Sequence, residues 1–551
     1  MNARFLRSAG LLLGVASCAF AQVAPPDAGQ ISRDARQPKV PLPASSGVVL
    51  PGGQKEAAKA EEAGPAVLVS EVVFEGNTQI SSDRLASLIS DLVGKPQTLA
   101  GMRAIARRIG DLYRLSGYPF ARALVPAQEF KDGRLRILVL EGRYGSVTAV
   151  GELRATEGAS PFLEPLRRGE VIHAPLLERC LLLIDDLPGV SVVPVVSPSV
   201  DVGAGDLRAA VRQDKTWGGE VGVDNHGSRY TGYHRVRGSA YRNDAFVFGD
   251  KVSGYLIATD EQMLLGSLDY ERPLGGRGLR AEVGFARTSY ELGREFSALG
   301  ATGLAEVATV RLSYPLVRSQ LANVTASVGY LRKNLQDEFV SLGTLDERHS
   351  DTLPVALRFD RRDSFLLGGI TYGQLSWTPG RLSLDPAALV VDSVTARKDG
   401  GFSKFNVDVA RLQALPAGFT LYARLSAQWA NDNLDSSERL GSGGAEGVRA
   451  YPLGEGTGDT GLLGQVELRY AAGDFAPYVF FDAASIEVNR HPWDAASDQS
   501  RDIAGAGVGV RYAKDSWTAN VLIAWRTSGG PPQSDQGQMR ERVLFTASKS
   551  F

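Results

Sequence analysis

Cysteine is nearly absent: the 551-residue chain has two, Cys18 and Cys180. Cys18 falls in a leader-like start, so one thiol remains after processing and no internal disulfide can brace the mature chain. The five histidines, His173, His226, His234, His349 and His491, show no metal spacing and no cysteine joins them, which argues against a zinc-type centre. A Gly-x-Ser-x-Gly nucleophile elbow is missing. The glycine strings at 454–458 and 505–509 lack the strand-to-helix turn that a phosphate cradle needs. No sign of charge dominates: 60 Lys and Arg face 62 Asp and Glu, a net charge of -2, which argues against a nucleic-acid binder. Long apolar runs are also lacking, because polar residues interrupt each one before it could span a bilayer as a helix. No catalytic residue, metal or cofactor is therefore expected.

The first segment that is present is a targeting signal. Arg4 and Arg7 precede an apolar stretch at 9–17, and Ala19-Phe20-Ala21 offers a small-x-small cleavage site before Gln22. Val15-Ala16-Ser17-Cys18 offers a competing lipoprotein site; cleavage after Ala21 is the expectation, giving a signal peptide at 1–21. Residues 22–67 form a Pro/Ala-rich linker with two short helical pieces, 28–37 and 53–63.

Residues 68–142 change character. A strand-like run with Val69, Val72 and Phe74 ends in the turn Glu75-Gly76-Asn77-Thr78. Two amphipathic helices follow, one with Leu85, Leu88, Ile89 and Leu92, the next with Met102, Ile105, Ile109 and Leu112. Strands at 120–126 and through Leu135, Ile137 and Val139 complete a β-α-α-β-β unit, a small α+β domain. The order repeats at 143–215, with helices expected at 161–168 and 174–187 and strands at 190–197 and 206–212. Residues 135–140 and 206–212 are the expected exposed sheet edges.

From 216 to 551 the helical period disappears. Leu421, Ala423, Leu425, Ala427 and Trp429 alternate with Tyr422, Arg424, Ser426 and Gln428; Val466, Leu468 and Tyr470 alternate with Glu467 and Arg469. Segments of roughly ten residues suit tilted membrane strands, and a region this long holds about 16 of them. Arg424, Glu467 and Arg469 then belong in a wet lumen, because each would cost about 2–4 kcal/mol facing lipid at the midplane.

Several short segments, in this order, resemble the two-partner secretion transporters, within the superfamily of outer-membrane assembly and translocation barrels. They are Val73–Thr78, Leu183–Val190, the hairpin Asp224–Gly232, Ser437–Leu440 with Gly443-Gly444, the tip Gly447-Val448-Arg449-Ala450-Tyr451, and Phe480-Phe481-Asp482-Ala483-Ala484. The resemblance implies a mainly β protein: a 16-stranded transmembrane barrel at 216–551 behind two polypeptide-transport-associated (POTRA) domains, 68–142 and 143–215. It implies a latch in which Arg449 of the sixth extracellular loop meets Asp482 of the strand motif, with Tyr451 packing the tip and Phe480 and Ala484 flanking the acid. Gly usually stands where Ala450 and Ala484 do, which would matter if either backbone needed φ > 0. Phe545 and the final Phe551 resemble the terminus by which barrel-assembly machinery recognises its clients, although Lys549 departs from that pattern. The helix at 28–37 resembles a pore plug.

The function implied is export of an unfolded exoprotein, adhesin- or haemolysin-like, from periplasm to cell surface. The partners implied are that exoprotein, bound through the POTRA domains, and the outer-membrane lipid. A barrel-assembly factor is the alternative reading, and a passive channel a weaker one.

Overall fold

The computed structural model describes residues 25–36, 41–43, 48, 65–130, 132–494, 499–535 and 540–551. The leader and the helical piece expected at 53–63 lie outside them. No described helix is long and apolar enough to cross a membrane, which says nothing about strands.

In the first small module, Glu71–Glu75, Arg134–Leu140 and Arg122–Leu124 form a sheet in that spatial order. Helices Ser82–Ile89 and Leu99–Leu115 cover it; Ser81 and Thr98 cap them by accepting the N–H groups of Arg84 and Gly101. Leu85, Ile89, Ile105, Ile109, Tyr113, Leu135 and Ile137 meet in its core. The run expected as one strand splits at Ser70, whose N–H bonds the Gly133 carbonyl. Its first part, Val67–Val69, pairs instead with Lys95–Gln97. The turn after it has a physical reason for its residues. Gly76 has φ +86°, and a Cβ there would collide with the Val139 carbonyl. The Gln79 N–H (2.7 Å) and the Tyr113 hydroxyl (2.9 Å) donate to the Glu141 carboxylate, as do the N–H and hydroxyl of Thr78.

The second module orders its strands Arg143–Val150, Ala204–Gln213, Val190–Pro198. Two expectations fail here. The first helix is Leu153–Leu163, not 161–168. Proline commonly starts helices, but Pro161 sits in the last turn, where its missing N–H removes a single bond. Ala155, Ala159, Phe162 and Leu163 set the buried face. The edge assignment also fails: 134–140 and 204–213 are the central strands of their sheets. Their apolar alternation records one face packed under the helices and does not tell how many strands lie alongside. The true edges are shorter or carry proline, as in Val193-Pro194-Val195.

Cys180 is 2 % exposed inside this core, and burial pushes its thiol up to about 11. The thiolate fraction at neutral pH is then negligible. The folded protein should resist maleimide at pH 7 and react only after denaturation; rapid labelling of native protein would contradict this packing.

Seventeen hydrogen-bonded segments, from Trp217–Asp224 to Glu541–Ser550, close into a ring. Thr344–Thr352 and Val355–Asp363 both pair with Ala322–Phe339 and with Gly369–Leu384. They are one strand broken at Leu353-Pro354, where proline has no N–H to give the ladder, so the barrel has 16 strands. Closure runs from Thr546 opposite Asp224 to Ser550 opposite Glu220. Leu425, Trp429, Val466, Phe481 and Val521 face outward. Trp377, Phe405 and Trp429 are register neighbours on that outer face, with the last two rings stacked at 6.1 Å, an aromatic girdle at an interface. Lys549, the departure in the final strand, holds its ammonium 5.2 Å from the Trp517 ring centroid, and Phe551 packs beside the same ring.

The second module is fixed to one rim. Arg318 pairs with Asp186 at 2.6 Å and Arg154 with Asp244 at 3.1 Å. Phe248, from the first turn on that rim, packs against the module core, at Gly158, where a Cβ would strike its ring.

Candidate functional site inside the barrel

Residues 431–459 connect strands Phe419–Ala430 and Thr460–Tyr470 at the far rim, then fold back into the lumen. The tip is built by short-range bonds: Val448 N–H to the Ser442 carbonyl (2.6 Å), Gly444 N–H to that of Tyr451 (3.0 Å), and Tyr451 N–H to that of Val448 (2.9 Å). These turn Arg449 toward the wall. Its Nε and Nη2 donate to the two Asp482 oxygens at 2.8 and 2.7 Å, its backbone N–H to Oδ2 at 3.1 Å, and its Nη1 to Glu467 at 2.5 Å. The guanidinium also lies 3.7 Å from the Phe480 ring centroid. Arg449 is 4 % and Asp482 0 % exposed.

Burying such a pair is affordable only with its hydrogen bonds filled, and here they are. Glu467 in turn accepts from Arg469 (2.6 Å) and Arg511 (3.0 Å). Gln465 donates to the Gly447 carbonyl at 2.8 Å. The Tyr451 hydroxyl donates to the Ser528 and Gly530 carbonyls, at 2.6 and 2.9 Å, and Arg542 reaches the Tyr451 carbonyl. Val448, Ala450, Tyr451, Phe480 and Ala484 share one apolar cluster with Leu463, Ile503 and Leu522.

The tip needs a recess, and glycine supplies it. Gly505, Gly507 and Gly509 face inward on strand Ser500–Lys514. A Cβ at Gly505 would collide with the Ala450 methyl, one at Gly507 with the Phe480 ring, and one at Gly509 would stand 2.5 Å from the Tyr478 ring. Neither Ala450 nor Ala484 has positive φ, so their methyl groups impose no backbone strain.

A second group holds the rest of the loop and the N-terminal helix. Glu438 lies between Lys333 (2.5 Å) and Lys404 (2.8 Å). Arg439 pairs with Asp459 at 3.1 Å. The expected helix at 28–37 forms as Ala28–Ala35, capped by Asp27, and lies in the lumen. Ala28 and Ile31 pack on Tyr230 of the Asp224–Gly232 hairpin and on Tyr290. Arg33 donates to the Ser436 carbonyl at 2.8 Å, and Ser436 to Asp27 at 2.5 Å. Arg348 joins Asp27, Asp337 and Asp435 at 2.9–3.0 Å. Helix and loop therefore brace one another.

The structure thus brings Gly447, Val448, Arg449, Ala450, Tyr451, Phe480, Asp482 and Ala484 into one locus and leaves Phe545, on the closing strand, and Phe551, just past its end, outside it. Sequence reasoning placed Glu467 in the lumen without joining it to the tip, considered the 505–509 glycines only as a rejected phosphate cradle, took Glu438 only as part of the loop approach, and did not single out Arg348. Glycine at every second strand position was the available signal, because it strips one face of side chains.

Residues 203–512 match the family described as haemolysin secretion/activation protein ShlB/FhaC/HecB, and 67–142 match the ShlB-type POTRA domain. The chain is 25% identical to the heme/hemopexin transporter protein HuxB of Haemophilus influenzae (strain 86-028NP), over 98% of this chain and 97% of that one. It is 22% identical to the outer membrane transporter CdiB of Dickeya dadantii, over 84% of each. The solved CdiB of Escherichia coli superposes with a TM-score of 0.71 at 19% identity, covering 90% of this chain and 93% of that one. With its two small modules, its closed barrel and its filled lumen, the chain belongs to the ShlB/FhaC/HecB family, the outer-membrane transporters of two-partner secretion.

Proposed function

We propose that this transporter receives one large exoprotein, adhesin- or haemolysin-like, as an unfolded chain at its periplasmic modules and passes it through the barrel to the cell surface. One observation carries the reading. The two parts that fill the bore, the helix Ala28–Ala35 and the loop tip at Arg449, are anchored to the wall largely by ion pairs and hydrogen bonds. Such contacts can re-form with water when both parts withdraw, and no covalent bond has to break.

The periplasmic end suits capture. Strands Glu71–Glu75, Arg122–Leu124, Arg143–Val150 and Val190–Pro198 are sheet edges, and an extended chain can add to an edge through main-chain bonds with little demand on its sequence. The driving force is folding of the cargo outside, which makes return unfavourable. Phe545 and Phe551 serve biogenesis rather than export, as the segment that barrel-assembly machinery recognises, and the outward apolar residues meet outer-membrane lipid.

Deleting this protein should abolish surface delivery of one large exoprotein and leave other outer-membrane barrels at normal abundance. General loss of barrel insertion would make it an assembly factor instead, and a solute-uptake defect alone would make it a passive channel.

A further inference from the structure

The segment that follows the lumenal helix touches the wall in a way that points to a peptide site. Pro41 and Leu42 bound one side of a 390 Å³ cavity directly below the loop tip. Tyr372, Leu412, Tyr422 and Leu522 line it together with polar groups that include Arg469, Arg511 and Asn520, and Arg449 and Glu467 stand at the end nearest the tip. The volume falls in the range of small-ligand pockets and suits one or two large side chains. Leu42 is 54% exposed, so the segment edges the cavity without filling it.

Toward the periplasmic rim two backbone carbonyls, those of Pro43 and Val48, are held by the wall. Arg362 Nη2 donates to the Pro43 carbonyl at 3.2 Å, and Gln320 Nε2 to the Val48 carbonyl at 2.6 Å. Every residue presents a carbonyl, so these two donors accept any sequence. The cavity wall adds a preference, because aromatic faces and the flat guanidinium groups between them pack against aromatic or large apolar side chains and leave small ones without contact. Arg469 already stacks on Tyr422 at 4.5 Å, which keeps that ring in place.

We propose that the cavity and the two carbonyl donors form a reception track for an extended polypeptide. Residues 41–43 rest along it, and the exported chain takes their place in transit, presenting one apolar or aromatic side chain at a time to Tyr372, Leu412 and Tyr422. This rests on the export reading and adds to it a site and a side-chain class. The track meets the latch at Arg449 and Glu467, so an arriving side chain presses on the two residues that hold the tip.

The test is photolabelling of the full-length protein in detergent with the tripeptide Pro-X-Pro, X being benzoylphenylalanine. Label should fall on the strands carrying Tyr372, Leu412 and Tyr422, and excess Pro-Leu-Pro should compete while Pro-Gly-Pro does not. Leu42→Gly should increase labelling. Tyr422→Ala should reduce it about tenfold, as for one lost aromatic contact, in a barrel whose heat-modifiable migration is unchanged. Absence of labelling, label outside the lumen, or equal competition by both tripeptides would overturn the proposal. Labelling as described in a protein whose deletion leaves surface delivery intact would remove the export reading and keep the site.

Discussion

Replacing Arg449 with alanine should lower export of the partner about tenfold or more at equal barrel abundance, because export needs the tip to return to its seat after each release and not release alone. The reasoning starts from burial. Asp482 is fully enclosed, and three of its hydrogen bonds come from Arg449, two from the guanidinium and one from the backbone. Removing one partner of a buried ion pair costs about 3–5 kcal/mol, because the other charge is left without compensation. That is a shift of roughly two to nearly four powers of ten in the docking equilibrium of the tip. Arg449→Lys keeps the charge but loses the fork that spans both carboxylate oxygens, so it should fall between wild type and alanine. Because the two residues act as one unit, Asp482→Ala combined with Arg449→Ala should cost far less than the sum of the single changes. Export per inserted barrel, set against protease sensitivity of the loop at 431–459, reads both. Additive losses would show that the pair does not act together.

Gly505→Ala should act in the same direction without touching a charge. Its new methyl group would occupy the place of the Ala450 side chain, so the tip has to lift or the strand has to shift. Overpacking of this kind costs about 1–3 kcal/mol. The informative variant is the double one: Ala450→Gly removes the colliding methyl and should restore export to Gly505→Ala, leaving the Trp525 carbonyl 3.1 Å from the new carbon as the next neighbour. Failure of that rescue in a normally inserted barrel would mean that Gly505 is needed for the strand and not for the seat.

The barrel was legible because lipid outside and water inside impose a two-residue alternation, and Arg424, Glu467 and Arg469 keep to it. The helices of the first module were legible through their stripes and caps. The second module was harder: Pro161 looks like a helix start, yet packing of Ala155 and Ala159 placed the helix ahead of it. The sheet edges were misplaced because apolar alternation marks a strand without saying how many neighbours it has. At the site, resemblance paired Arg449 with Asp482, whereas the glycine recess and the supports at Glu467, Glu438 and Arg348 depend on which strands lie adjacent across the lumen. Contacts such as Arg348 to Asp27, more than three hundred residues apart, leave no local trace in the sequence.

The central claim is that cargo passes through the bore now filled by the helix and the loop tip. The Ala28 N–H donates to Asp337 on the wall strand Ala322–Phe339 at 2.8 Å, so Ala28→Cys with Asp337→Cys should form a disulfide that tethers the helix to the barrel wall. Surface delivery of the exoprotein should stop when this pair is oxidised and resume on reduction, with Cys180 buried and silent in both states. Undiminished delivery by fully cross-linked protein would mean that the exported chain does not travel through the barrel.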